Sequence, residues 1–77
     1  MPSVRLSMPV TGPATLRVYD VHGREIRALH SGTLPAGEHS MVWDGRTDRG
    51  TPARGGLYFL TYEAAGLKAQ RRLVLMR

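Results

Sequence analysis

"LYFLTYEA", residues 57–64, is rich in aromatics, carries a β-branched threonine and contains no glycine or proline. Those residue types fit a pleated, half-buried surface, so the stretch reads as a β-strand. Its neighbours in sequence supply partners. "AAGL" at 64–67 turns the chain, and "KAQRRLVLM" at 68–76 returns as a second strand. Upstream, "DGRTDRGTPARGG" at 44–56 is a long polar loop with four glycines. "EHSMVWD" at 38–44 puts His39, Met41 and Trp43 on one face of another strand.

The first half of the chain has the same grain. Residues 3–10 alternate, with Val4, Leu6, Met8 and Val10 on one face and Ser3, Arg5 and Ser7 on the other. "TGP" at 11–13 breaks the run, because Pro13 cannot donate to a ladder and Gly12 bends freely. "ATLRVYDV" at 14–21 resumes it with Leu16 and Val18 inward. "DVHGRE" at 20–25 reads as a hairpin in which His22 and Gly23 form a two-residue loop at positive φ. A short strand follows, holding Ile26 and reaching about Leu29. "SGTLPAGEH" at 31–39 then reads as a connection broken by Pro35 and Gly37. No window places apolar residues at helical spacing without an interior glycine or proline. The sequence therefore predicts an all-β domain of six to seven short strands.

At 77 residues the chain reads as one domain, 1–77. Its formal charge is +5, with ten of the eleven basic residues arginine and Lys68 the exception. A basic balance favours an acidic partner or nucleic acid. The charges are scattered, however, and the longest basic run is Arg71–Arg72, as on an ordinary solvated face. There is no cysteine, so neither a disulfide nor a thiolate metal site can form. No segment approaches the roughly 20 apolar residues of a membrane span. The opening "MPSVRLSMPV" lacks the apolar core of a signal peptide. For an exported domain the signal would lie outside this stretch, and Met1 would not be the natural start.

"VWDGRTDRG", residues 42–50, gathers the tryptophan with two aspartates, two arginines and two glycines. Asp44 and Asp48 are four apart, but a calcium loop needs oxygen ligands at alternate positions and Arg46 stands between them. Trp43 reads as the end of a strand packing over the core, and Asp44 as the acceptor of an Asx-type turn. Gly45 and Gly50 allow positive φ, and Arg46 or Arg49 pairs with an aspartate. His22, His30 and His39 fall in a turn, near a strand end and on a strand face, with no nucleophile elbow or metalloprotease motif. The glycines of the 44–56 loop do not form a P-loop. The sequence thus predicts no catalytic residue, no metal ligand, no cofactor and no enzyme. One rival remains: Arg46, Arg49 and Arg54 with Tyr58, Phe59 and Tyr62 have the residue types of a small basic barrel that binds single-stranded nucleic acid.

These motifs, taken in order, resemble the FlgD Ig-like domain family. The matching elements are "VYD..GR" at 18–24 (Tyr19, Asp20, Gly23, Arg24), "L.AG.H" at 34–39 (Gly37), "WDGR.D.G" at 43–50 (Trp43, Asp44, Gly45, Asp48, Gly50) and "GLY" at 56–58 (Gly56, Tyr58). The resemblance implies a small antiparallel β-sandwich of immunoglobulin or fibronectin III type, in which these residues build loops and turns. It also implies a C-terminal module of a larger exported bacterial protein, in an extracellular, cell-surface or periplasmic setting. There it would serve anchoring, sorting, adhesion or assembly. Arg77, one residue past the last strand, reads as a natural C-terminus. The absence of the family's asparagine–proline lead-in reads as a trimmed domain. The outline is also similar to the C-terminal sorting domains of type IX secretion, whose lysine-rich hairpin is replaced here by Gly23-Arg24. Nothing resembles a hook-binding portion, so no hook-cap role carries over.

The partners expected are proteins: the parent chain, a neighbouring domain or a second copy in a homo-oligomer. Leu73, Val74, Leu75 and Met76 are apolar on both faces of the pleat, and a strand buried on both faces needs two covers. One is the core. Either a partner supplies the other, or Met76 sits at a frayed end.

Overall fold

The computed structural model describes residues 2–76. It contains six strands among those residues: β1 (Ser3–Met8), β2 (Gly12–Tyr19), β3 (Glu25–Leu34), β4 (Gly37–Val42), β5 (Gly56–Ala64) and β6 (Leu67–Leu75). A four-stranded sheet runs in the order β3-β2-β5-β6, and a two-stranded sheet pairs β1 with β4. Every pairing is antiparallel. The two sheets form an immunoglobulin-like sandwich, with alternate residues of each inner face meeting in the core. No helix of the described residues is long and apolar enough to cross a membrane.

The period-2 pattern places the core. Val4, Leu6 and Met8 of β1 face Ala14, Leu16 and Val18 of β2 and Tyr58, Leu60 and Ala64 of β5, all buried. Leu16 and Val18 are fully excluded from solvent, and Trp43 nearly so. No polar or charged side chain is buried among the described residues. The core carries no desolvated charge and depends on apolar burial alone.

Four expectations need correction. Val10 is not on the β1 core face but 58% exposed, because Pro9 follows the last ladder pair, Met8↔Gly37, and cannot extend it. Gly12 and Pro13 do not break the chain. They open β2, paired with Leu34 and Thr33. The β5 ladder begins only at Ala14, so the missing N–H of Pro13 falls where β2 has one neighbour. β3 does not stop near Leu29: Ser31, Gly32, Thr33 and Leu34 continue it, and only Pro35 and Ala36 connect it to β4. β4 ends at Val42, so Trp43 lies just past the strand, its N–H donating to the Pro2 carbonyl at 2.9 Å.

The β2–β3 hairpin also differs from expectation. Tyr19 pairs with Glu25, Asp20 N–H donates to the Arg24 carbonyl and Gly23 N–H to the Asp20 carbonyl. The loop is therefore the three residues Val21, His22 and Gly23, and only Gly23 has positive φ, at 80°. This is a type I turn closed by a glycine bulge. Between β5 and β6 the two-residue loop is Ala65-Gly66, with φ of 52° and 76°. That pair gives the primed-turn twist a two-residue hairpin needs.

Candidate functional site

The 43–55 segment between β4 and β5 holds most of the residues singled out from sequence, and its own hydrogen bonds shape it. The Trp43 ring meets Tyr58 edge to face, with centroids 4.9 Å apart and planes at 71°. Its indole N–H donates to the Arg46 carbonyl at 2.9 Å. Tyr58 Oη donates to the Arg54 carbonyl at 2.6 Å. Two core aromatics thus hold the two ends of the loop by their polar tips, which is how buried tryptophan and tyrosine satisfy their donors.

Inside the loop, Asp44 Oδ1 accepts the Arg46 N–H at 3.0 Å, forming an Asx turn. Ala53 N–H donates to the Gly45 carbonyl, Thr47 N–H to that of Thr51, and Gly50 N–H to that of Thr47. Gly45 and Gly50 have φ of 77° and 81°. The expected pairing of Arg46 or Arg49 with an aspartate does not occur among the described residues. The Arg46 guanidinium reaches the Gly50 carbonyl at 2.8 Å instead, because both aspartates already face backbone donors.

Asp48 does something the sequence did not announce. Its N–H donates to the Ile26 carbonyl at 3.0 Å, and its Oδ1 accepts the Ala28 N–H at 3.0 Å. These β3 groups point away from β2, along the sheet's open edge. One aspartate therefore supplies a donor and an acceptor in the place of a neighbouring strand. Arg27 adds a guanidinium bond to the Thr47 carbonyl at 3.1 Å. An edge interrupted in this way is a poorer template for other strands.

The other turn residues sit at the β2–β3 hairpin. Asp20 Oδ1 accepts the N–H groups of His22 at 2.8 Å and Arg24 at 3.0 Å, and Oδ2 accepts Arg24 Nε at 3.1 Å. The Arg24 backbone N–H is the chief reason its carboxyl lies below the ordinary aspartate range. Partial burial opposes this, while the His22 N–H and the Arg24 side chain reinforce it. Gly37 opens β4 with φ of 120°, and Gly56 opens β5 with φ of 144°.

Among the described residues, the histidines are not gathered into one site. His30 Nε2 lies 3.1 Å from the Gly32 carbonyl and His39 Nε2 2.7 Å from that of Pro35, while His22 stands exposed in its turn. Among the described residues no three His, Cys, Asp or Glu side chains are placed to hold a metal ion. The aromatics named for nucleic acid do not share a platform. Tyr58 is buried and Tyr62 half-buried on the inner face of β5, and Phe59 lies on the opposite face. On β6, Leu73 and Leu75 turn inward, whereas Val74 is 60% exposed and Met76, just past the strand, 85% exposed.

Comparison with known proteins agrees with this arrangement. The sequence model of the FlgD Ig-like domain matches residues 3–67. The chain belongs to the FlgD Ig-like domain family. It is 36% identical over 62 residues to the basal-body rod modification protein FlgD of Salmonella typhimurium, and equally to that of Salmonella typhi. Each alignment covers 80% of this chain and 26% of the relative, so the chain spans about a quarter of these curated proteins. A solved structure of FlgD from P. aeruginosa superposes with a TM-score of 0.70 at 25% identity, covering 95% of this chain and 59% of that one. Of the motif residues of this FlgD Ig-like domain, Asp20, Gly23 and Arg24 fall on the hairpin turn and Trp43, Asp44, Gly45, Asp48 and Gly50 on the Trp43 loop, whereas Tyr19, Gly37, Gly56 and Tyr58, expected in loops and turns, lie in β2, β4 and β5.

Two consequences are measurable. Asp44→Ala removes the Asx acceptor and should lower unfolding free energy by about 1 kcal/mol, read as a reduced urea midpoint from Trp43 fluorescence. Because the folded-state pKa of Asp20 is depressed, its contribution is present above the unfolded pKa and is lost as pH falls through the folded one. Asp20→Asn should therefore flatten the loss of stability below about pH 4, near the ordinary aspartate pKa. Equal pH slopes for the two proteins would refute that assignment.

Proposed function

We propose that this chain is a non-catalytic docking module of a larger exported bacterial assembly protein, at 1–77 a single domain at the C-terminal end of its parent. The observation that carries the reading is the match to the FlgD Ig-like domain over residues 3–67, in relatives named for modification of the basal-body rod. Of the roles named from sequence, assembly is the one those relatives favour over adhesion or sorting. The hydrogen bonds of the Trp43 loop support the same view, since they tie its aspartates to backbone rather than leaving them open to a substrate. Work by such a module lies in its faces and edges, in an extracellular, cell-surface or periplasmic setting.

Fractionated source cells, probed with an antibody against this domain, test the reading. A large band in the envelope or medium is expected. A free 8.5 kDa band in the cytosol, pelleting with nucleic acid, would overturn it in favour of a basic nucleic-acid binder.

The exposed outer face of β6 is the surface we assign to a partner. Leu57 pairs with Val74 across the β5–β6 ladder, so Val74 and Met76 extend apolar surface along one edge of the sheet. Self-association there predicts a light-scattering mass above that of one 8.5 kDa chain at high concentration. A strictly monomeric mass removes self-association and leaves the parent chain or a neighbouring domain as the cover.

A further inference from the structure

Immunoglobulin-type sandwiches set three or more strands against four. Here the small sheet has two, β1 and β4, against β3-β2-β5-β6. The shortfall has a definite place. Pro35 and Ala36 carry the chain directly from β3 to β4, and β1 lies on the other side of β4. Beyond β1 the sandwich is open, and a groove of about 330 Å³ runs under its edge. Leu16, Leu60, Tyr62, Ala69 and Arg71 form its floor.

The register of β6 shows the same vacancy from the other side. Leu73, Arg71, Ala69 and Leu67 stand opposite Tyr58, Leu60, Tyr62 and Ala64, so all four share the inner face. Leu75 on that face is buried at 6% exposure, yet Leu67 is 63% exposed. The inner face of β6 therefore loses its cover along its length, although its pattern is that of a core-facing strand apart from Arg71.

The edge of β1 is ready to pair. Trp43 N–H bonds the Pro2 carbonyl, and the ladder continues through Val4↔Met41 and Leu6↔His39. Hydrogen-bonded pairs alternate in an antiparallel ladder. The N–H and C=O groups of Val4, Leu6 and Met8 thus point to β4, and those of Ser3, Arg5 and Ser7 point outward. Ser3, Arg5 and Ser7 are exposed, and no strand adjoins them among the described residues. Such a row of main-chain groups beside side-chain pockets is the arrangement used in strand addition.

Charge selects the occupant. Arg5, Arg71 and Arg72 line the seam against one carboxylate, Glu38. Glu38 is held by Arg5 at 3.2 Å, and no ion pair engages Arg71 or Arg72 among the described residues. A second copy presenting β1 or β6 would bring Arg5, or Lys68, Arg71 and Arg72, against like charge. A phosphate backbone would meet the arginines but has no alternating donors and acceptors for Ser3, Arg5 and Ser7.

We infer that the seam between the free edge of β1 and the inner face of β6 is a strand-acceptor site for an extended, acidic polypeptide segment. The segment supplies the third strand of the small sheet. Its alternate apolar side chains cover Leu60, Tyr62 and Ala69, and its carboxylates meet Arg71. The inference deepens the docking-module reading and rests on it.

The test is an NMR titration of the isotopically labelled chain with a short peptide alternating valine and glutamate. The controls are its valine–lysine counterpart and oligothymidylate. The amides of Ser3, Arg5 and Ser7 should shift and gain protection from hydrogen exchange, and binding should weaken with added salt. Arg71→Glu should weaken it about tenfold or more, the loss of one good charge contact. Ser7→Pro removes an outward N–H but no ladder bond, and should weaken it similarly while leaving the β1–β4 amides in place. Should Ser7→Pro fail to fold, Arg71→Glu decides alone, since Arg71 is exposed. Protection confined to β3 or to the outer face of β6, equal binding of the lysine peptide, preference for oligothymidylate, or no binding of the acidic peptide each overturns the inference. Cell fractionation decides the docking-module reading independently of all these outcomes.

Discussion

The contact between Trp43 and Tyr58 is the constraint on which the other features converge. Trp43 is the single tryptophan and is 1% exposed. Its backbone N–H is bound by the residue before β1, its ring packs on β5, and its indole N–H fixes the Arg46 carbonyl. One residue thereby joins the small sheet, the large sheet and the loop between them. A domain this small has little apolar area to spare, so a side chain that fills the core and also satisfies its own donor has a disproportionate share in the fold. The turn from Trp43 to Arg46 then sets the direction in which the loop leaves the sandwich. From that direction, Asp48 arrives at the edge of β3.

Legibility followed the distance in sequence between interacting groups. The Asx turn spans only two positions, Asp44 to Arg46, and the residue types at that spacing suffice to read it. The faces of β2 and β5 follow from period 2 alone, as Leu16, Val18 and Leu60 show. The Asp48 bridge links positions twenty apart, Asp48 and Ala28, and no local pattern encodes it. The far half of β3 was hidden for a similar reason. Ser31 and Gly32 have turn-like composition, and only their non-neighbouring partners Thr15 and Ala14 make them strand. Val10 misled in the opposite way: its alternation continued past Pro9, but a proline without an N–H ended the ladder before it.

The charges follow the architecture rather than oppose it. Among the described residues no ionised group is buried, and the four ion pairs found there lie at the surface. Pairs so exposed contribute about 0–1 kcal/mol each, so they shape the field around the molecule more than its stability. Along β6, Arg72 adds positive charge to the outer face, and the inward-facing Arg71 interrupts an otherwise apolar stripe. An inward charge on an edge strand is one of the devices that keep sheets from continuing into one another.

The Asp48 cover on β3 has a bearing on symmetry. A sheet with two open edges can add copies head to tail, β6 of one against β3 of the next, and such heterologous contacts need never close. With Ile26 and Ala28 already bonded to Asp48, β3 offers no continuous edge to an incoming strand. Two copies joined instead through β6 would meet about a two-fold axis and stop at a dimer. A single aspartate in a surface loop thus interrupts the edge along which the large sheet could otherwise run on as a fibre.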